Sequence, residues 1–178
     1  MMKYSLLFTI IIVPLFSCTA NRQSRVQQPS YTVSQDGGSK ILRGTISRSL
    51  IENDSAFAWF KNNMKWGQAD AAAVQSFSNN KEKFTMVVFG GTWCGDTQNL
   101  LPVFYRLVDK SGYPENKITL IGVDRAKTTI DDLHVKWKVT HVPTFIILHD
   151  GKEIGRVVEY GKYGQVDKEL GEIVATIK

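Results

Sequence analysis

The stretch from Phe84 to Val108 constrains this chain more than any other. Phe84-Thr85-Met86-Val87-Val88-Phe89 is an apolar run of strand length, rich in β-branched and aromatic residues, and Gly90-Gly91 ends it with a turn. Leu100, Leu101, Phe104, Leu107 and Val108 then recur at helical spacing, and a second apolar run, Ile118-Thr119-Leu120-Ile121-Gly122-Val123, follows. A strand, a helix and another strand in that order predict a right-handed crossover between parallel strands.

The downstream pattern is as well punctuated. A short helix is predicted with Ile130, Leu133 and Trp137 on one face, opened by a Thr129-x-x-Asp132 capping box. Phe145 to Leu148 and Ile154 to Val158 flank Asp150-Gly151, the signal of a tight hairpin, and a last helix aligns Val166, Leu170, Ile173, Val174 and Ile177. Upstream, a short strand is expected at 41–46 and helices around 56–65 and 71–77, capped by Asp54-Ser55 and Asp70. Phe57, Phe60 and Met64 would pack that segment onto the main body. With 43% hydrophobic and 22% charged residues, the 178-residue chain can bury one core. Its net charge of +5 is scattered rather than gathered into basic runs, which argues against a nucleic-acid partner.

The first residues belong to no core. Lys3 precedes the apolar run Ser5 to Phe16, which has the layout of a secretory signal and is short for a bilayer span. Leu15-Phe16-Ser17-Cys18 resembles a bacterial lipobox, with Phe16 bulkier than usual, so Cys18 is the expected lipidation site. The plainer alternative is a cleaved signal that happens to contain Cys18. Either way the chain is expected outside the cytoplasm, in the bacterial cell envelope. Residues 19–40 are rich in Ser, Gln and Gly and read as a tether with a root-mean-square span of roughly 25 Å. The expected organisation is therefore a signal peptide at 1–17, a lipid anchor and tether at 18–40, a packing extension at 41–80 and the main domain at 81–178. Anchoring through Cys18 leaves Cys94 as the single thiol of the folded part, with no internal disulfide available.

The order of elements and four local motifs resemble the thioredoxin family. Trp93-Cys94-Gly95 stands at the strand-to-helix junction, Pro102 falls where thioredoxins kink that helix, Val142-Pro143-Thr144 is similar to the family's cis-proline loop, and Asp150-Gly151 is in register. The resemblance covers about Phe84 to Lys178. It implies an α/β thioredoxin fold, a central mixed sheet flanked by helices, here with an N-terminal strand and helix extension. It also implies a reactive Cys94 supported by Trp93, Gly95 and Asp96, with Val142, Pro143 and Thr144 pairing an extended substrate.

A sulfur at a helix N-terminus meets free N–H groups and the positive end of the dipole, which favour thiolate, whereas the Asp96 carboxylate opposes it. Two departures limit the chemistry. Thr97 replaces the family's second cysteine, so a mixed disulfide at Cys94 cannot be released by internal closure, and Val88 replaces a buried aspartate. The Thr97 hydroxyl is expected either to donate to Cys94 or to cap the helix. His141 is expected as a surface side chain, since one Cys and one His make a poor metal site, and neither a metal nor a cofactor is implied. The expected function is a monothiol oxidoreductase acting on exported proteins with thiols or disulfides, completed by an external resolving thiol or reductase and held to a membrane by its lipid anchor. The alternative is a non-catalytic adaptor that docks an extended segment.

Overall fold

The computed structural model describes residues 31–178, so the signal segment and Cys18 lie outside the described residues. Six strands form one mixed sheet: β1 (Tyr31–Asp36), β2 (Ser39–Ile46), β3 (Phe84–Gly90), β4 (Ile118–Gly122), β5 (Thr144–His149) and β6 (Lys152–Val158). Their spatial order is β1-β2-β4-β3-β5-β6, with β3 and β4 parallel and every other pair antiparallel. The helices are α1 (Arg48–Glu52), α2 (Ala58–Met64), α3 (Ala71–Asn80), α4 (Gly95–Ser111), α5 (Leu133–Lys136) and α6 (Val166–Val174). This is the thioredoxin fold that the resemblance implies, extended at its N-terminus by a hairpin and two helices.

The two-residue period of the central strands divides the core. Phe84, Met86 and Val88 of β3 face one cluster with Phe145 and Ile147 of β5, against Leu101, Phe104 and Leu107 of α4 and Leu170 of α6. Val87 and Phe89 face the other, with Ile121, Ile146 and Leu148, covered by Leu133 of α5 and Trp137. Phe57 and Phe60 join the first cluster as expected, with Met64 packed against it. Asp54 and Asp70 cap as expected, accepting the N–H groups of Ala56 and Ala73.

The expected tether stops short of Lys40, because residues 31–40 are folded. β1 pairs with β2 along its whole length, and Gly37 and Gly38, at φ +55° and +76°, make the two-residue turn that such a hairpin needs. Every residue of β1 is exposed. Its order comes from backbone pairing to a buried neighbour rather than from apolar burial, so hydrophobic content cannot reveal it.

The Thr129 capping box does not form. Asp131 and Asp132 adopt φ +56° and +49°, which splits the segment into a 3-10 turn (Ile130–Asp132) and the single turn α5. The Thr129 hydroxyl donates to Gly122 O at 2.8 Å, tying the loop to the end of β4. At the hairpin between β5 and β6, Asp150 and Gly151 take φ +50° and +73°, as the motif requires.

Candidate functional site

β3 ends at Gly90 and the chain turns into α4, with Cys94 as the helix N-cap residue. The Cys94 N–H donates to Gly91 O at 2.9 Å and its carbonyl accepts Gln98 N–H at 3.0 Å, which fixes the sulfur at the start of a 17-residue helix. The thiol is half-buried and donates to Val142 O at 3.4 Å. The Val142–Pro143 bond is cis, and Thr144 Oγ1 donates to His141 O at 2.7 Å across the same turn. The fold thus brings together Cys94 and the Val142-Pro143-Thr144 segment from positions 48 residues apart.

Trp93 folds back over the turn. Its indole Nε1 donates to Val123 O at 3.1 Å, and a Cβ at position 91 would come within 2.8 Å of its ring, so only glycine fits there. The Arg125 guanidinium lies 5.3 Å from the ring centroid on the outer side. Gly95 is exposed and Asp96 half-buried in the first turn of α4.

Thr97 occupies the second-cysteine position and is 1% exposed, with its methyl against Gly90. Its hydroxyl takes neither expected role. It accepts the Gly91 N–H at 3.2 Å, bracing the turn from beneath instead of bonding the thiol or capping the helix. Burial explains this, because the closest unpaired donor to an inward-facing threonine is the backbone N–H that the glycine turn leaves free. Val88 is fully buried, paired in the sheet with Leu120 and Phe145. His141 is exposed, its Nδ1 2.9 Å from Thr140 Oγ1. Among the described residues no cluster of His, Cys, Asp or Glu could hold a metal ion.

Several site residues escape sequence reasoning because their partners come from the hairpin. Thr92 is buried, donating to Lys40 O at 2.9 Å and accepting Leu42 N–H at 3.3 Å, which clamps the reactive turn to β2. Gln98 Nε2 donates to Thr92 O, and Asn63 Nδ2 donates to Gln98 O, both at 3.0 Å. Arg125 pairs with Asp36 at 3.1 Å, so the hairpin also holds the group that covers Trp93. Next to it, burial acts to raise the Asp124 carboxyl, but hydrogen bonds from Thr128 and the Arg43 charge outweigh it and hold the group below its ordinary value. On the far side, Glu159 N–H donates to Pro143 O at 2.7 Å, and the hydroxyl of the exposed Tyr160 accepts from Asn99 Nδ2 at 3.4 Å.

A family model described as thioredoxin matches residues 68–172, more than half of the chain. The chain is 35% identical over 94 residues to an H-type thioredoxin of Picea mariana, spanning 53% of this chain and 70% of that one. It is 27% identical over 104 residues to a TPR repeat-containing thioredoxin of Arabidopsis thaliana, of which it spans only 26%. A crystal structure of an HIV epitope-scaffold shares the fold at TM-score 0.50 and 17% identity, covering 73% of this chain and 92% of that one. The match to the family model, continuous from before α3 into α6 and through the Cys94 turn, makes this chain a member of the thioredoxin family.

Proposed function

We propose that the chain is a monothiol thiol-disulfide oxidoreductase acting on exported proteins from a lipid-anchored position in the cell envelope. The observation that carries this reading is the placement of the Cys94 sulfur, half-buried at the N-terminus of α4 and within 3.4 Å of Val142 O. The Cys94 sulfur, as thiolate, attacks one sulfur of a substrate disulfide. The other sulfur leaves as a thiolate, and Cys94 stays joined to the substrate. Cys94 is the free cysteine among the described residues, and the second-cysteine position is a threonine, so a thiol from outside must end the mixed disulfide. Val142, which precedes the cis bond to Pro143 and has its carbonyl beside the sulfur, suits backbone pairing with an extended segment. The lipobox-like Leu15-Phe16-Ser17-Cys18 supports the anchored location.

The test is a trapping experiment. The full chain, incubated with a disulfide-bonded model protein and quenched with acid, should carry a covalent adduct that dithiothreitol cleaves. Cys94→Ala should carry none. If the wild-type chain forms no adduct while still binding the model protein, the adaptor reading replaces the catalytic one. Cys18→Ser, keeping the signal, should free the domain from membranes, and continued membrane association would remove the lipid anchor from the proposal.

A further inference from the structure

The Arg106 guanidinium, on the side of α4 that meets α2 and α3, forms no ion pair among the described residues. Its Nη1 donates to Asn63 O at 2.7 Å, while the buried Nε–H meets no acceptor. Gly67, at φ +82°, lays its backbone against the same group, and a Cβ there would come 3.3 Å from Nη2. Burial lowers the Arg106 pKa, and the charge of Asp167 offsets only part of that from beyond ion-pair distance. The Asp167 carboxylate is itself engaged, accepting Asp70 N–H at 2.8 Å. Residues 1–30 contain no Asp or Glu, so the chain ahead of β1 brings no carboxylate to Arg106 either. The counter-ion that this charge lacks therefore has to come from another molecule.

Arg106 opens on a cavity of about 510 Å³ between α3, α4 and the loop that joins α2 to α3. Lys110, one turn further along α4, lines it as a second cation, with Gln68 as a neutral donor and Ala69, Ala71 and Val74 as an apolar wall. The carboxylates close in sequence are committed elsewhere: Asp70 accepts Ala73 N–H at 2.8 Å, and Asp109 is closed on Arg48 at 2.6 Å. Trp66, which precedes the lining residue Gly67, is 73% exposed, and Lys65 beside it is exposed as well. Unpaired cations next to an apolar wall and a bare indole match the chemistry of a bilayer interface. Trp settles there at headgroup depth, and each Lys or Arg adds attraction to anionic lipid.

We propose that this cavity takes the phosphate of an anionic phospholipid headgroup, with Trp66 inserted at the interface beside it, so that the α2–α3 loop docks the domain on the lipid surface. The inference rests on the lipid-anchored reading above, which brings lipid within reach, and adds a second contact with the same surface. From Cys18 to the start of β1 at Tyr31 the chain can span at most roughly 45 Å, so an anchored domain stays close to the headgroups. Arg106 lies twelve residues along α4 from Cys94, about 18 Å by the helix rise, so headgroup and substrate occupy separate sites. Anchor and loop together would fix how the reactive turn is presented to its substrates.

The test follows hydrogen exchange in the full chain carried on phosphatidylcholine vesicles, with and without phosphatidylglycerol. Phosphatidylglycerol should slow exchange at residues 65–71 about tenfold relative to phosphatidylcholine alone and leave β5 unchanged. Lys110 is exposed and pairs with no carboxylate, so Lys110→Gln leaves the fold intact and should reduce that protection about fivefold. Arg106→Gln should abolish it, with unchanged exchange in β5 showing that the variant is folded. Equal exchange on both vesicles, or full protection in both variants, overturns the docking surface while a chain that still floats with the vesicles leaves the anchored reading standing. Equal protection by glycerol phosphate without vesicles overturns the lipid contact as well, and makes the cavity a site for free phosphate esters. A chain that floats with neither vesicle overturns the anchored reading and this contact together.

Discussion

At the residue scale, the site depends on which way a few small side chains turn. Thr97 faces inward and braces Gly91, so replacing its hydroxyl by a sulfur removes one acceptor and places two sulfurs three residues apart at a helix start. Thr97→Cys is expected to oxidise internally under mild oxidant and to reduce insulin with dithiothreitol faster than the wild type; the thiol count before and after oxidation checks the first point. Two persistent free thiols in a folded Thr97→Cys protein would refute it. Val88 sets a limit on that gain. It is fully buried between Leu120 and Phe145, and Val88→Asp would place an unpaired carboxylate there, costing about 3–5 kcal/mol at neutral pH in urea denaturation. Burial raises the folded carboxyl's pKa, so the deficit should shrink as pH falls below the folded value and that group is protonated.

At the element scale, the N-terminal hairpin is part of the site rather than an appendage. Thr92 holds β2 through two hydrogen bonds, and Arg125 holds the β1 end through Asp36 while covering Trp93. Thr92→Val keeps the volume but leaves the Leu42 N–H without its acceptor, so it should cost about 1–3 kcal/mol of stability, read by urea denaturation. The same variant should speed hydrogen exchange at Leu42 and in the Trp93–Cys94 turn more than in β5, because the clamp joins those two segments. Uniform exchange across the sheet would contradict the clamp.

At the scale of the whole molecule, helices and sheet are tied by charge as well as by apolar packing. Arg48 of α1 reaches Glu52, Asp109 and Glu115 at 2.6–2.9 Å and lies 4.8 Å from the Tyr105 ring centroid. Burial alone would lower its pKa, but its hydrogen bonds to Asp109 and Glu52 outweigh that and raise it, so the charge persists across the working pH range. On the other flank the depressed carboxyl of Asp124 ties Arg43 of β2 to the loop after β4. A carboxylate held below its unfolded value, about 3.9, stabilises the fold above that pH, and the contribution is lost as pH falls through the lower folded value. Asp124→Asn should therefore lower Tm at pH 7, and the gap to wild type should close in the acid range. A gap independent of pH would assign the effect to packing.

The apolar run Phe84 to Phe89, the helical spacing from Leu100 to Val108, the Asp150-Gly151 turn and the face of α6 were legible in the sequence because each is local composition, periodicity or backbone chemistry. The position of Cys94 at a strand-to-helix junction followed from the same signals. What no local pattern carried was long-range pairing. β1 buries nothing and is ordered through its ladder to β2, so composition misassigned residues 31–40 as a tether. Thr97 turned toward Gly91 because packing against Gly90 left that donor in reach, and Thr129 served Gly122 instead of a helix cap. The proximity of Cys94 to Val142, and of Thr92 to Lys40, arises only when strands distant in sequence assemble into one sheet, in the first case as neighbours β3 and β5 and in the second across β4. Periodicity determines which face a side chain takes, whereas the partner it meets is decided by the tertiary arrangement that satisfies the most buried polar groups at once.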